Sequence, residues 1–190
     1  LSAAYVVCGV TTGMISTHFV PFAIERGISP SKAALIFGLM MGLNSLGGIG
    51  AGVLSDKFGR KNVLAAVYLL RGIGYVMLVC IPSSLGMWAF AIAAGFSWVA
   101  SVPLTSALTA DVYGLRVLAT ISGITFLCHQ VGSFIMVLLA GVLFDLTGSY
   151  TLPFAIAGSL LFPAALAAYT IKEKRYSIRY RTRKEEVVTY

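Results

Sequence analysis

Gly52-Val-Leu-Ser-Asp56-Lys57-Phe58-Gly59-Arg60-Lys61 is the stretch on which the reading of this chain turns. It begins inside a run, 33–55, that holds no charged residue. A helix needs roughly 20 apolar residues to cross about 30 Å of hydrocarbon. The run is long enough for one crossing, and the sudden appearance of Asp56, Lys57, Arg60 and Lys61 marks where the chain leaves the membrane. Gly59 permits a left-handed turn between one crossing and the next.

The same reasoning extends outward. Residues 1–24, 72–110, 117–144 and 146–171 are also free of charge, and 72–110 is long enough for two crossings, divided by the turn signal Pro82-Ser83-Ser84-Leu85-Gly86. Six transmembrane helices are predicted over about 1–23, 31–54, 62–81, 86–109, 117–143 and 150–171. The first is expected to end near Pro21, and Ser31 is expected to cap the second. Composition agrees: 58% of residues are hydrophobic and 11% charged, against about 25% charged in soluble domains. Mean hydropathy is +0.88. The fold class is an all-α membrane protein. Leu1 lies in an apolar run with no basic n-region or cleavage site, so 1–23 reads as a true span rather than a signal peptide, and chain upstream of it is expected.

Basic residues give the orientation. Lys57, Arg60, Lys61, Arg116 and seven tail residues from Lys172 to Lys184 fall on one face, against Arg26 and Lys32 on the other. The positive-inside rule puts the first set, with the C-terminus and a basic tail 172–190, in the cytoplasm of a multi-pass protein of the plasma (inner) membrane. The tail also suits contact with anionic lipid. No nucleic-acid role is needed to explain its charge.

An internal repeat gives the architecture. Ala51-Gly-Val-Leu-Ser-Asp-Lys-Phe-Gly59 and Ala140-Gly-Val-Leu-Phe-Asp-Leu-Thr-Gly148 agree at six of nine positions, at an offset of 89. Each copy ends the second helix of a three-helix group, so the copies fall on opposite sides of the membrane. The second copy lacks the basic residues of the first. This pattern predicts two inverted three-helix repeats.

The 52–61 segment resembles the signature loop of the major facilitator superfamily, which recurs between the second and third helices of each six-helix half. His18-Phe-Val-Pro21 before a Gly-Ile-Ser turn, and Phe144-Asp-Leu-Thr-Gly-Ser-Tyr150, are similar to the C-terminal half of bacterial monocarboxylate-transporter-like members. The resemblance implies a secondary transporter of a small solute such as an organic anion, moved with a proton or counter-substrate by alternating access. The family has twelve helices. The chain is therefore expected to be the C-terminal half, partnered by an N-terminal six-helix half and by the bilayer. A six-helix protein acting as a dimer is the alternative.

Candidate site residues fall into two groups. In the loop, Gly52 suits close helix packing, Asp56 suits an ion pair with Arg60 or a neighbouring helix N-terminus, and Asp111 ends the fourth helix on the same face. Asp56, Gly59, Arg60, Lys61 and Asp111 are expected either to form a latch or simply to anchor the topology. Within the spans, Arg71 lies ten residues past Lys61, about 15 Å into the membrane, with Tyr68 and Tyr75 on its face. Charge at that depth faces the protein interior. Arg71 is thus either a substrate or proton-coupling site or a structural arginine held by tyrosines and carbonyls, and the resemblance favours the second.

Ser122, Thr125, His129 and Ser133 form a polar stripe on the fifth helix. The resemblance makes His129 and Gln130 substrate contacts, with Asn44 opposite on the second helix. A histidine can also titrate near neutral pH, which suits proton coupling at His129, and the alternative is a helix–helix hydrogen bond. His18 reads as an entrance residue or a structural one. Ser97, Ser101 and Thr105 line either a cavity or a helix contact.

Cys8, Cys80 and Cys128 stand apart and read as small buried residues. The glycines of the second helix, Gly38 to Gly52, are not a phosphate loop. No residue pattern points to a cofactor, a metal or a paired nucleophile, so an intramembrane enzyme is disfavoured. A six-helix channel or structural membrane protein is the competing reading, without the filter segment a channel would show.

Overall fold

The structure is a computed structural model and describes residues 2–172; the basic tail beyond Lys172 lies outside them. Six helices are long and apolar enough to cross a membrane: α1 Ser2–Glu25, α2 Pro30–Phe58, α3 Arg60–Cys80, α4 Ser84–Tyr113, α5 Leu115–Thr147 and α6 Thr151–Tyr169. The described chain is all-helical.

Three of these spans are interrupted and three are continuous, and proline decides which. A proline lacks the N–H for the carbonyl four residues before it, and its ring crowds that carbonyl. Pro21 follows Thr17 by four residues, and α1 widens to a π-helix at Met14–His18. Pro103 follows Val99, and α4 is broken by a turn at residues 98–100. Pro163 follows Ser159, and α6 is interrupted at Leu160. Helices α2 and α3 have no interior proline and run unbroken, and so does α5 after its opening turn of 3-10 helix.

Two expectations are corrected here. Pro21 does not end the first helix, because the π-turn absorbs the missing bond and the helix continues to Glu25. The second helix starts one residue before Ser31, with Ser29 at the N-cap and Pro30 in its first turn, where a missing N–H costs nothing.

The helices pack in a reciprocal pattern. Helix α1 lies along α5, and α2 lies along α4, while α3 sits between α4 and α6. Both close pairs are built on glycine. A Cβ at Gly9 would meet the His129 carbonyl oxygen at 1.9 Å, and one at Gly132 would meet that of Val6 at 2.5 Å. In the other pair, a Cβ at Gly47 would meet the Phe96 carbonyl at 2.4 Å, and one at Gly95 would meet Leu43 Cβ at 2.7 Å. Without side chains the backbones approach and gain dispersion contacts, which drive association where lipid is as apolar as the helix.

Helices α2 and α5 are the least enclosed. Their most apolar stretches are 28% and 22% buried, against 44–61% in the other four. Leu46, Ile49, Phe134 and Leu138 stand exposed on them.

Candidate functional site

The break in α4 creates a chemical problem inside the membrane, and Arg71 answers it. Pro103 offers Val99 no donor, so the Val102 N–H turns to the Val99 carbonyl at 3.0 Å. The Trp98 carbonyl thereby loses its helical partner. Arg71, fully buried on α3, donates Nη2 to Trp98 O at 2.6 Å, to Ser97 O, and to Ser101 Oγ at 3.1 Å. Ser101 Oγ donates a second bond to Trp98 O at 2.9 Å.

The other arm of the guanidinium turns to α1. Nη1 donates to Thr11 Oγ1 at 3.1 Å and lies 3.6 Å from Cys8 Sγ. Tyr75 OH donates to Thr11 O at 3.0 Å, one turn before the π-segment. The Tyr68 ring lies 5.9 Å from the guanidinium carbon. Arg71 therefore joins α1, α3 and α4 beside both interruptions, and only its Nε is left without a partner.

Asn44 holds the same break from the opposite side. Its Oδ1 accepts from the Val99 N–H at 3.1 Å. An amide oxygen must face that donor, so the assignment is fixed by the network and the NH2 is left over. Asn44 Nδ2 is buried and unpartnered. Trp98 Nε1 donates to Thr12 Oγ1 at 3.0 Å, tying the broken segment to α1.

His129 is buried on α5, with Nδ1 3.0 Å from Gln130 Oε1 and its ring between Tyr5, 5.0 Å away, and Phe126, 5.7 Å away. No contact joins it to Asn44 among the described residues. His18 lies toward the other end, with Nε2 3.3 Å from Val137 O and its ring 5.0 Å from Tyr150.

The loop residues divide. Arg60 Nη1 pairs with Asp111 Oδ2 at 2.6 Å and also bonds Ala107 O at 2.8 Å, so the α2–α3 and α4–α5 connections meet. Asp56 is exposed. Lys61 Nζ lies 5.1 Å from the Tyr169 ring centroid. Gly59 has φ +89°, as a residue without Cβ allows. Gly52, expected to serve close packing, has no atom within 4 Å of a Cβ built there. Gly47 takes that role, because it faces α4.

At the opposite end, Glu25 accepts from Ser149 Oγ at 2.6 Å and from the Tyr150 N–H at 2.9 Å. Arg26 donates to Leu78 O and Thr151 Oγ1. Burial and the nearby Glu25 and Asp145 carboxylates push the Tyr150 phenol above its usual pKa. Sequence reasoning missed this second closed end, and it missed Pro103 as the residue that gives Arg71 its partners. The signal for the latter was present, since a proline deep in a predicted span marks the carbonyl four residues earlier. The cysteines differ from expectation too: all three are free, but only Cys8 is fully buried, bonded to Ser101 Oγ at 3.1 Å, while Cys80 is exposed.

Six apolar spans with a buried cation, proline breaks and an ion pair between connections at one end define a polytopic membrane bundle. A family model of the Major Facilitator Superfamily matches residues 1–188, and the chain belongs to that superfamily. It is 30% identical over 156 residues to the uncharacterized MFS-type transporter YcxA of Bacillus subtilis (strain 168), covering 78% of this chain and 38% of the relative. It is 29% identical over 163 residues to monocarboxylate transporter 12 of Rattus norvegicus, covering 83% of this chain and 34% of the relative. The MFS transporter asaE of Aspergillus flavus is 30% identical over 132 residues, covering 68% of this chain and 30% of the relative. The chain thus spans about a third of the length of these relatives. It is a multi-pass membrane protein of a transporter family, not of an enzyme family.

Proposed function

We propose that the chain is the C-terminal six-helix half of a secondary active transporter that moves a small organic anion by alternating access, together with a proton or counter-substrate. Its partner is an N-terminal six-helix half. It sits in the plasma (inner) membrane with the Arg60–Asp111 end and the C-terminus in the cytoplasm.

The reciprocal packing is the observation that carries this reading. Exchanging α1 with α4, α2 with α5 and α3 with α6 turns the α1–α5 pair into the α4–α2 pair. The glycine crossings exchange with them. So do the broken helices α1 and α4, while α6 is interrupted and its counterpart α3 is not; the positive-φ glycines exchange as well, Gly27 and Gly114 following α1 and α4, and Gly59 and Gly148 following α2 and α5. That symmetry supports inverted repeats, the arrangement that lets a carrier expose one site to either side in turn. The poorly enclosed α2 and α5 suit a face toward a second half.

In this account Asn44, His129 and Gln130 contact the substrate, and His18 serves the outer entrance. Arg71 is a positioning residue, since its donors other than Nε are spent within the bundle. The cation that meets the anion's charge then comes from the N-terminal half. Arg60 and Asp111 latch the cytoplasmic end, flanked by Asp56, Gly59 and Lys61, and Gly52 faces outward. Monocarboxylate transporters among the relatives supply the substrate class.

Counterflow tests the reading. The full-length protein, in proteoliposomes loaded with unlabelled lactate, pyruvate or propionate, is expected to accumulate the labelled acid transiently above equilibrium. Simple equilibration would indicate a channel, and no flux of any of the three would overturn the organic-anion assignment.

A further inference from the structure

A groove of about 360 Å³ runs between α2 and α3, with Phe96 of α4 behind it. Every residue that lines it is apolar. Small residues create it: Gly50 on α2 and Ala66 on α3 leave the gap unfilled, and a Cβ built at Gly50 meets no atom within 4 Å. Leu54 and Leu70 on its rims are 48% and 40% exposed, so the groove opens outward from the bundle. Both helices are long and apolar enough to cross a membrane, where the surrounding medium is hydrocarbon.

A cation stands at the end of this groove. The lining runs along α2 from Leu46 to Leu54, about 12 Å at 1.5 Å per residue, and Lys57 lies about 5 Å beyond. Lys57 follows Gly50 by seven residues, so two helical turns return it to the groove's face. Asp56 falls about 120° round the helix from Gly50. Lys57 is exposed and has no ion-pair partner among the described residues. Its basic neighbours are engaged elsewhere. Arg60 holds Asp111 at 2.6 Å, and Lys61 Nζ lies 5.1 Å from the Tyr169 ring on α6. Headgroups sit where spans end, so Lys57 lies at the level of a lipid phosphate.

An open apolar groove on a membrane span is filled by hydrocarbon, because an empty one would forfeit the dispersion contacts of its lining. We infer that an anionic phospholipid binds here, with one acyl chain in the groove over Gly50 and its phosphate against the Lys57 ammonium. The acyl chain fixes where the lipid lies, and the lysine selects its charge. A zwitterionic lipid of the same chains fits the groove as well, but its own cation beside the phosphate weakens the attraction to Lys57. The inference needs the membrane spans and not the transporter reading, so either can fail alone.

Native mass spectrometry of the full-length protein tests it, with phosphatidylglycerol or phosphatidylcholine of identical acyl chains titrated into the detergent solution. Wild type is expected to retain phosphatidylglycerol in preference. Lys57→Gln is expected to weaken phosphatidylglycerol roughly 5-fold at one site and to leave phosphatidylcholine unchanged. Gly50→Phe fills the groove and is expected to remove one bound copy of either lipid. Gly50→Ala adds a single methyl in open space and is expected to keep both. Equal retention of the two lipids by wild type, or phosphatidylglycerol binding unmoved in Lys57→Gln or in Gly50→Phe, would overturn the site. Equal loss in Gly50→Ala and Gly50→Phe would assign the effect to helix packing and overturn it too. A photo-crosslinking side chain in place of Leu54 gives an answer even where Gly50→Phe does not fold. An adduct with a phospholipid is expected in native membranes. An adduct with the N-terminal half, or none, would show that no lipid lies in the groove.

Discussion

Arg71 Nη2 lies 2.6 Å from the Trp98 carbonyl oxygen, a group that Pro103 releases from the α4 ladder. The arginine and the break are thus one feature. The broken turn requires a donor at mid-membrane, and the buried cation requires acceptors there. Arg71→Met would leave the Ser97 and Trp98 carbonyls and Thr11 without this donor, at about 1–3 kcal/mol for each group left unsatisfied. It is expected to lower the unfolding midpoint in detergent sharply. Arg71→Lys keeps the charge but cannot span α1 and α4 with one ammonium, and is expected to restore only part of the loss. A midpoint unchanged in Arg71→Met would contradict the clasp.

Pro103→Ala returns an N–H to the Val99 carbonyl. Continuous helix is then expected across 98–102, read as slower amide hydrogen exchange at Val102 than in the wild type. Turnover is expected to fall while substrate half-saturation changes little, because the break serves movement rather than recognition. Unaltered exchange would show that proline is not what breaks α4.

The glycines offer an internal comparison. Gly9→Ala and Gly47→Ala force backbones apart and are expected to destabilise the bundle by several kcal/mol, within the range of severe overpacking. Gly38→Ala, with no atom within 4 Å of the added Cβ, is expected to be neutral or slightly stabilising. Equal effects at Gly9 and Gly38 in thermal unfolding would refute the glycine-built crossings.

Much of the fold was legible in the sequence because the bilayer imposes a one-dimensional rule: charge-free runs of sufficient length are spans. Lys61 and Arg116 stand at helix starts for that reason. The interruptions were harder. Pro21 read as a helix end, since proline in water usually ends one, whereas neighbouring helices in a membrane re-satisfy the freed groups. Asp111 was placed from sequence beside Arg60 because both sit at the same end of adjacent spans. Asp56 was grouped with them by nearness in sequence, and its helix turns it outward. Partners such as Asn44 and Val99, 55 residues apart, follow from helix packing that periodicity alone does not contain.

His129 is a test of coupling. A free imidazole changes charge close to neutral pH, and His129 is buried on α5. His129→Gln is expected to flatten the pH dependence of uptake between about pH 5 and 8 while preserving exchange at a fixed pH. An unaltered profile would remove His129 from proton coupling and leave it as a packing residue between Tyr5 and Phe126.

The most direct test concerns the two ends of the bundle. The Arg60–Asp111 pair joins loops at one end, and Glu25 joins α1 to the α5–α6 turn at the other. The pair is partly exposed, so its strength is modest, about 1 kcal/mol or less. A shift of that size moves populations without forcing one state. Spin labels on the full-length protein would report distances from Lys57 and from Ser149, each to a label at the same end of the N-terminal half. Asp111→Asn is expected to lengthen the distance at the Lys57 end and shorten the one at the Ser149 end in the same molecules. Distances at both ends that stay fixed, or that lengthen together, would contradict alternating access.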